Sequence, residues 1–408
     1  MQKIGFIGLG KLGLDCAEVF AEKYPTSGYD IYPRHSDTVT VYDEIGEMIN
    51  NSDWIFIAVP TPHTEGYDGS VPSSHMEPKD FGHEAVIDAI EKVNKYATTQ
   101  KKVVLISTVL PGTTHRKFVT LLDKKHLFLY NPYLIAMGSV KWDMANPEMV
   151  IIGTEDGSET GDAKLLIDFY KPLMQNDPRY VVGTWDEAES IKIFYNTFIS
   201  TKIGLVNMIQ DVAIKQGNIN VDVVTDALAN STMRIMGPKY MTAGLGDAGP
   251  CHPRDNIALR YLAEELDLGY DLFDTIMKAR ERQAKNMARF IYDNREDLPV
   301  FIHGKAYKPN VAYTEGSYSL LVGYYLEEMG IDVTYLDPLT ETNNITSVFG
   351  CILLAHNQQV TYGYSGVTEE QGLYATIIPG SIVIDPWRKF KSPHPMTKVI
   401  HYGNTRIQ

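Results

Sequence analysis

The chain has 408 residues, of which 44% are hydrophobic and 22% are charged, a composition typical of a folded protein with two or three domains. Its 51 acidic residues outnumber its 37 basic residues, which gives a net charge of −14 at pH 7. This excess of negative charge excludes a broad basic surface for nucleic acid. An anionic substrate would therefore have to be held by a few local cations.

The three cysteines are Cys16, Cys251 and Cys351, and their spacing contains no C-x-x-C pair. The sequence therefore predicts neither a disulfide framework nor a metal site. No charged leader followed by an apolar stretch opens the chain, and the longest apolar run, Trp54–Val59, is far too short to cross a bilayer. We expect a cytoplasmic protein with no membrane or nucleic-acid partner.

The first predicted element is a short apolar strand, Ile4–Ile7, followed by Gly8, Gly10 and Gly13 in the G-x-G-x-x-G spacing. In a dinucleotide-binding fold the first glycine permits a tight strand-to-helix turn and the second lets the backbone approach a pyrophosphate. The third lets the helix pack closely on the strand. The free amides and the positive dipole end of the helix suit phosphate. The pattern predicts a dinucleotide site, with Leu12 as a further ligand.

A second short strand ends at Tyr29, and Asp30 directly after it lies 20 residues beyond Gly10. This is the position of a ribose-binding carboxylate. A carboxylate accepts hydrogen bonds from ribose hydroxyls and repels a 2′-phosphate, so Asp30 favours NAD over NADP. Arg34 follows closely and is a second candidate cofactor ligand, although a cation here also weakens that preference.

Residues 1–185 alternate apolar strands with helical stretches, as expected for a parallel sheet wound by helices. Ligands of such sheets bind beyond the carboxyl ends of the strands, so the turns there supply four more cofactor ligands: Pro60, Thr61, Ser107 and Thr108. The predicted strands of this domain are Ile4–Ile7, one that ends at Tyr29, Trp54–Val59, Val103–Ser107, Leu127–Tyr130 and Met149–Ile152.

The strand pattern stops in residues 186–295, where Ile191, Phe194 and Phe198 recur at helical spacing and predict one long buried helix. Strands return in residues 296–408. The predicted fold is α/β, with two Rossmann-like parallel-sheet domains joined by a helical central region. The predicted strands of the last domain are Val300–His303, Val333–Leu336, Ile352–Ala355 and Ile382–Ile384.

Seven segments spread along the chain resemble, in their order and separation, the UDP-glucose/GDP-mannose dehydrogenase family. The resemblance implies an NAD-binding domain over 1–185, a dimerisation region over 186–295 and a nucleotide-sugar domain over 296–408. It also implies NAD as cofactor, a UDP-sugar as substrate, and a homodimer. The segments are Gly8–Gly13, Val59–Pro62, Ser107–Thr114, Glu189–Asn196, Gly244–Asp255, Gly304–Pro309 and Ile384–Arg388.

By this resemblance the protein oxidises the C6 alcohol of the sugar to a carboxylate and uses two NAD molecules in turn. Cys251 is then the nucleophile that carries the thiohemiacetal and the thioester. Glycines and prolines surround Cys251 as in a loop, whereas Cys16 and Cys351 lie in apolar elements and are predicted to be buried. We expect Cys251 to face the nicotinamide ring, with Lys192 beside it.

Lys192 and Asn196 are four residues apart and share one helix face. The resemblance implies that they stabilise the developing oxyanion, a role that suits a cation and an amide donor. It also implies that Asp255 and Thr108 help to position or deprotonate water.

The resemblance further predicts a set of substrate ligands, among them basic residues that suit the diphosphate because guanidinium groups bind phosphate oxygens well. Arg234 is expected to contact the nucleotide sugar, often across the dimer interface. The complete predicted set is Tyr133, Leu134, Lys192, Asn196, Arg234, Gly246, Lys308 and Arg388.

The chain departs from the family pattern at several positions. Tyr133 stands where a glutamate is expected, and a second carboxylate shortly after it is also missing, which puts water activation in doubt. Glu315 replaces an arginine that reaches NAD, and Arg254 replaces a lysine. Two extra residues lengthen the cysteine loop at 247–250.

Three functional interpretations remain open at this stage. The first is a nucleotide-sugar 6-dehydrogenase, with UDP-glucose favoured by the segment Cys251–Asp255. The second is a two-electron β-hydroxyacid dehydrogenase, which shares the glycine-rich start and a lysine/asparagine helix and does not need Cys251. The third is a degenerate protein that binds NAD or a nucleotide sugar without turnover, a reading motivated by the missing carboxylates.

Overall fold

The computed structural model describes residues 2–62, 77, 79–135, 138–237, 242–247, 249, 251–343, 345–356, 375–392 and 394–404. The side chains at positions 203, 204, 207, 251, 254, 255 and 258 are not included. The chain divides into two compact units, residues 1–202 and 203–408. The boundary falls inside the longest helix, so the division at 185 and 295 stays a prediction.

Unit 1 is built on a sheet with the strand order β3-β2-β1-β4-β5-β6-β7-β8. Neighbouring strands are parallel except β6 and β7, which are antiparallel. The strands are β1 Ile4–Ile7, β2 Thr26–Tyr29, β3 Thr40–Val41, β4 Trp54–Ile57, β5 Lys102–Leu105, β6 Leu127–Tyr130, β7 Met149–Thr154 and β8 Arg179–Thr184.

Helices connect these strands and cover the sheet. They are α1 Gly13–Ala21, α2 Ile45–Asn50, α3 Glu84–Tyr96, α4 Val140–Ala145 and α5 Asp162–Tyr170, with a π-helical turn at Thr114–Phe118. Every residue of β1 and β4 is buried. Their continuous apolar sequences are those expected of strands that are covered on both faces. One face forms an aromatic core in which the rings of Phe6 and Phe56 stack at 5.2 Å.

The order of the strands reverses between β1 and β4, since the chain builds outwards from β1 to β3 and then returns. Such a reversal separates the connections on the two sides and leaves a crevice at the carboxyl ends of the central strands. The sequence therefore places the glycine-rich turn after β1 at the ligand-binding edge of the sheet.

The central region is helical, as predicted, with α6 Trp185–Gln216, α7 Val221–Ala229, α8 Cys251–Glu265 and α9 Leu272–Asn294. The expectation that the long helix α6 is buried is wrong for the single chain. Phe194 is 63% exposed and Phe198 is 51% exposed. An apolar stripe predicts a contact surface but does not say which chain provides the other side.

Unit 2 contains a parallel sheet with the order β10-β9-β12-β14-β15 and a small pair, β11 and β13. Gly304 follows β9 with φ +105°, as Gly8 follows β1 with φ +97°. The elements are β9 Val300–His303, α10 Tyr318–Glu328, β10 Val333–Leu336, β11 Ser347–Val348, β12 Cys351–Leu354, β13 Thr376–Ile377, β14 Ile382–Asp385 and β15 Lys398–His401.

The predicted fold class is confirmed: the chain is α/β, with a mostly parallel sheet in unit 1, a parallel sheet in unit 2 and a helical region between them in sequence. The sequence did not indicate that β7 runs antiparallel to β6, because a short apolar run suits either direction. It also missed the edge strands β8 and β15, most of whose residues are only partly buried and which lack a clear apolar pattern. Among the described residues, no helix combines the length and the apolar character needed to cross a membrane.

Candidate functional site

A cavity of about 630 Å³ opens at the carboxyl edge of the sheet in unit 1, a volume within the usual range for small-molecule sites. All predicted cofactor ligands except Gly13 line it, as do the predicted substrate ligands Tyr133 and Lys192. The predicted residues in its lining are Gly8, Gly10, Leu12, Asp30, Arg34, Pro60, Thr61, Ser107, Thr108, Tyr133 and Lys192.

The glycine-rich turn has the geometry that its spacing predicts. Gly8 has φ +97°, a conformation that residues with a side chain rarely adopt. A Cβ atom at Gly13 would overlap the carbonyl oxygen of Gly8, so only glycine lets α1 pack this closely on β1. A Cβ at Gly10 would meet no atom within 4 Å, which leaves open space over the backbone for a pyrophosphate.

The Asp30 carboxylate is fixed at the end of β2 by two backbone amides. Leu9 donates to Oδ2 at 2.7 Å and Tyr32 donates to Oδ1 at 2.9 Å. The Nε atom of Arg34 lies 3.6 Å from Oδ1, so the arginine pairs with the carboxylate. This geometry fits a dinucleotide whose ribose hydroxyls donate to Asp30, and the pairing reduces the attraction of Arg34 for a 2′-phosphate.

Replacing Asp30 by asparagine should raise the KM for NAD about 10- to 100-fold, since a hydrogen bond to a charged group contributes about 1.5–3 kcal/mol. Arg34 would lose its partner, so the preference for NAD over NADP should fall. Initial rates with each cofactor measure both effects. Asp168→Asn, which removes an exposed carboxylate paired with Lys164, is the matched control. An unchanged ratio of the two cofactor KM values would contradict this role for Asp30.

The turns that follow β4 and β5 are joined by side-chain hydroxyls. Ser107 Oγ donates to the carbonyl of Val59 at 2.5 Å, and Thr61 Oγ1 donates to the carbonyl of Thr108 at 2.7 Å. These bonds hold the two turns together at the wall of the cavity. Each hydroxyl oxygen keeps acceptor capacity for a ligand.

Glu189 is a positioning residue to which the sequence analysis assigned no separate role. Its buried carboxylate accepts the amide protons of Gly112 at 2.5 Å and Thr114 at 2.7 Å. Burial raises the pKa of Glu189, although the bonds from Thr114 and Gly112 oppose that shift. The residue thus ties the turn after β5 to helix α6. The sequence of the turn offered one indication of this contact, because the buried backbone amides of a turn need a hydrogen-bond acceptor.

Lys192 lies on α6 one turn after Glu189, and its side chain lines the cavity. Its Nζ atom donates to the carbonyl oxygen of Tyr133 at 2.7 Å. Burial lowers the pKa of Lys192 below the ordinary lysine value. Asn196, one further turn along, is exposed and lies outside the cavity lining that the structure describes.

Tyr133 does not replace the missing glutamate as a base. Tyr170 Oη donates to Asn131 Oδ1 at 2.5 Å, so at the 2.8 Å contact between the two phenols Tyr133 must be the donor. Burial raises the pKa of Tyr133 well above its ordinary value. The phenol therefore stays protonated near neutral pH. Its neighbour Leu134 packs against the core of unit 1.

In unit 2, Cys251 is the first residue of α8, so the prediction that it lies within a loop is corrected: the loop ends where the cysteine begins the helix. The side chains of Cys251 and Asp255 lie outside the described residues, and their roles stay predictions. Cys16 and Cys351 are buried, as predicted. Burial raises the pKa of both thiols, that of Cys351 to about 12, which makes them unreactive.

Two of the remaining predicted substrate ligands in unit 2, Gly246 and Lys308, line a second cavity of about 150 Å³, which also contains the indole of Trp387. Arg388 instead donates to backbone carbonyls, at 2.5 Å to Ala243 and also to Tyr402 and Pro386.

Two charged positions that the sequence analysis singled out are exposed in unit 2. Arg234 lies on the surface in the segment that follows α7. Glu315 is exposed and accepts a hydrogen bond from Tyr313 Oη at 2.5 Å. Neither side chain belongs to the described lining of the second cavity.

Comparisons with known proteins agree with these features. Residues 32–174 match the NAD binding domain of the UDP-glucose/GDP-mannose dehydrogenase family, and residues 186–282 match the central domain of the same family. Together these matches cover more than half of the chain.

Three UDP-glucose 6-dehydrogenases are similar in sequence. That of Rickettsia prowazekii is 25% identical over 76% of this chain and 69% of its own length. That of Rickettsia felis is 24% identical over 71% of this chain, and the alignment spans 62% of that enzyme, less than two thirds. Bacillus subtilis TuaD is 25% identical over 83% of this chain and 76% of its own.

A crystal structure of GDP-mannose dehydrogenase from Pseudomonas aeruginosa has the same fold, with a TM-score of 0.79 over 98% of this chain and 99% of that chain at 18% identity. The chain belongs to the UDP-glucose/GDP-mannose dehydrogenase family of NAD-dependent oxidoreductases.

Proposed function

We propose that this protein oxidises the C6 alcohol of a nucleotide sugar to a carboxylate with NAD, and that UDP-glucose is the substrate and UDP-glucuronate the product. The observation that carries the proposal is the cavity of unit 1, where the predicted dinucleotide ligands and Lys192 line one space. The similarity to UDP-glucose 6-dehydrogenases supports UDP-glucose.

The glycine-rich turn, Asp30 and the turns after β4 and β5 would hold NAD. When bound, NAD supplies the hydride acceptor for both oxidations. Lys192, already positioned by the Tyr133 carbonyl, carries a positive charge that stabilises oxygen as it becomes anionic. Asn196 supplies a second, neutral donor on the same helix. A partly buried cation is effective here because the surrounding dielectric is low.

Cys251 supplies the nucleophile. The alcohol first loses a hydride and a proton to give an aldehyde. The thiolate then adds to the aldehyde carbon, a C–S bond forms, and the oxygen takes up a proton to give a thiohemiacetal. Loss of a second hydride and a proton gives a thioester. Water cleaves the C–S bond, which releases the carboxylate and returns the thiol.

Water activation falls to Asp255 and Thr108, because Tyr133 is a protonated donor held inside unit 1. The substrate diphosphate is assigned to Lys308 and Arg234, and Gly246 at the second cavity is a further predicted contact. In unit 1, Tyr133 and Leu134 stay predicted substrate ligands. Arg388 stays a predicted substrate ligand. It also holds the backbone at Ala243, because its guanidinium group donates to that carbonyl.

We infer a homodimer formed through the exposed apolar side chains of the central helices. Phe194 and Phe198 on α6 provide this surface, at 63% and 51% exposure. Sedimentation equilibrium should give twice the chain mass, and Phe198→Asp should shift the population toward the monomer. A wild-type protein that remains monomeric at micromolar concentration would contradict the dimer.

The function is tested by measuring initial rates of NADH formation with a panel of UDP- and GDP-sugars, with β-hydroxyacids as the competing substrate class. We expect the highest kcat/KM with UDP-glucose. Turnover of β-hydroxyacids alone would favour the two-electron dehydrogenase. Calorimetric binding of NAD without turnover of any substrate would favour the degenerate binding protein, to which the fixed phenol of Tyr133 lends some support.

A further inference from the structure

We propose that Arg280 and Asp247 are positioning residues that set the location of Cys251. This inference rests on the proposed function, because it concerns the nucleophile of that reaction. It starts from the loop before Cys251, which by the resemblance is longer by two residues within 247–250. A longer loop has more conformations to lose, whereas a nucleophile must be held within a fraction of an ångström.

The carboxylate of Asp247 is held by Arg280, which lies on α9. Arg280 Nε donates to Asp247 Oδ1 at 2.5 Å. The side chain of Arg280 is only 11% exposed and that of Asp247 is 27% exposed, so the pair is shielded from solvent far more than an ordinary surface ion pair. Breaking a shielded pair leaves a charge without its partner, and the loop must move to solvate it.

The aromatic ring of Tyr318 completes this cluster, which we call the Arg280 clamp: Gly246, Asp247, Arg280 and Tyr318. The guanidinium lies 5.3 Å from the ring centroid of Tyr318, and Tyr318 Oη donates to the backbone carbonyl of Arg280 at 2.9 Å. A Cβ atom at Gly246 would overlap the Tyr318 ring. Two adjacent loop residues are thus fixed against one arginine and one tyrosine.

Other contacts hold the loop on either side of the clamp through its backbone. Arg388 Nη2 donates to the Ala243 carbonyl at 2.5 Å, and Gly249 donates its amide proton to Gly316 at 3.1 Å. Among these contacts, the Asp247–Arg280 bond joins two charged side chains. It lies four residues before Cys251, where α8 begins, so the clamp controls how the chain enters that helix.

Displacement of the clamp should act on the chemical step more than on cofactor binding. The NAD ligands lie in unit 1, whereas the clamp lies in unit 2. A 1 Å error in the position of a reacting group costs about 100-fold in rate. A thiol at the first residue of a helix also owes part of its acidity to the helix amides and dipole. The clamp therefore affects both kcat and the pH at which Cys251 ionises.

The test compares Asp247→Asn, Arg280→Gln and the double variant with the wild-type protein. Each single change should lower kcat about 10- to 100-fold while the KM for NAD stays within twofold. The double variant should be no worse than the single ones, because one contact is lost in each case. Arg280→Lys, which keeps the charge, should recover part of the rate. Glu296→Gln, which removes the exposed pair with Lys398, is the control and should leave kcat unchanged.

Alkylation of Cys251 by iodoacetamide, followed by peptide mass across pH, gives a readout independent of sugar turnover. Its midpoint should move to higher pH in both clamp variants and stay fixed in Glu296→Gln. The proposal is overturned if kcat and the alkylation midpoint match the wild type, or if both change only in proportion to unfolded protein seen by thermal melting. A shifted midpoint in a protein that oxidises no nucleotide sugar would support the clamp and reject the proposed function.

Discussion

Cys251→Ser is expected to lower the rate of complete sugar oxidation by about 1000-fold or more, with the affinity for NAD unchanged. A serine hydroxyl is far less acidic than a thiol, so almost no alkoxide is present near neutral pH to attack the aldehyde. NAD-dependent formation of UDP-glucuronate measures the rate, and calorimetry measures NAD binding.

Cys351→Ala is the matched control, because it removes a thiol that is buried in β12 and whose pKa is raised to about 12. Its activity should remain within about twofold of the wild type, since a buried protonated thiol takes no part in the chemistry. If Cys251→Ser were as active as the wild type, the thioester route would be wrong and a two-electron dehydrogenase would be favoured.

Lys192→Met should lower kcat about 100- to 1000-fold, the loss seen when one oxyanion donor is removed. Methionine matches the lysine side chain as far as Cε, so the packing of α6 changes little, but the charge and the bond to the Tyr133 carbonyl are both lost. Lys215→Met, on the last turn of the same helix, should leave kcat unchanged.

The pH dependence distinguishes two roles for Lys192. Burial lowers its pKa, so the protonated form is complete below that pKa and is lost as the pH rises through it. An oxyanion stabiliser therefore loses activity on the alkaline side at a pH below the ordinary lysine value of about 10.5, and Lys192→Arg moves this limb upward. A rate that rises through the same pH range would instead identify Lys192 as a base and contradict the assignment.

Local sequence rules predicted a set of dinucleotide ligands that line one cavity, because each requirement there acts over a few residues. The turn at Gly8 needs a positive φ, Gly13 needs the absence of a Cβ, and Asp30 follows a strand that pairs with β1. Each of these constraints can be read from the spacing of residues along the chain. The spacing alone therefore predicts that these residues lie at one edge of the sheet.

The features that the sequence did not predict depend on contacts between distant residues. Glu189 accepts a hydrogen bond from a turn 75 residues away, and the Tyr133 hydroxyl is hydrogen-bonded to Tyr170 on α5, 37 residues later. Nothing near either residue shows which partner it will meet. The exposure of Phe194 was missed for a related reason, since periodicity records an apolar face but not what covers it.

The loop before Cys251 shows the same limit. The sequence shows that this loop is longer than the family pattern. It does not show that Arg280 binds the loop at Asp247, because these two residues lie 33 positions apart on different elements. Arg388 was predicted to bind phosphate, as guanidinium groups often do, whereas backbone carbonyls already occupy several of its donors.

The most direct test of the proposed reaction is the number of NADH molecules formed for each molecule of UDP-glucose consumed, measured by absorbance and by chromatography of the sugar nucleotide. Two NADH per sugar, with UDP-glucuronate as the product, is the predicted result. One NADH per sugar, with an aldehyde released, would contradict the four-electron oxidation through Cys251.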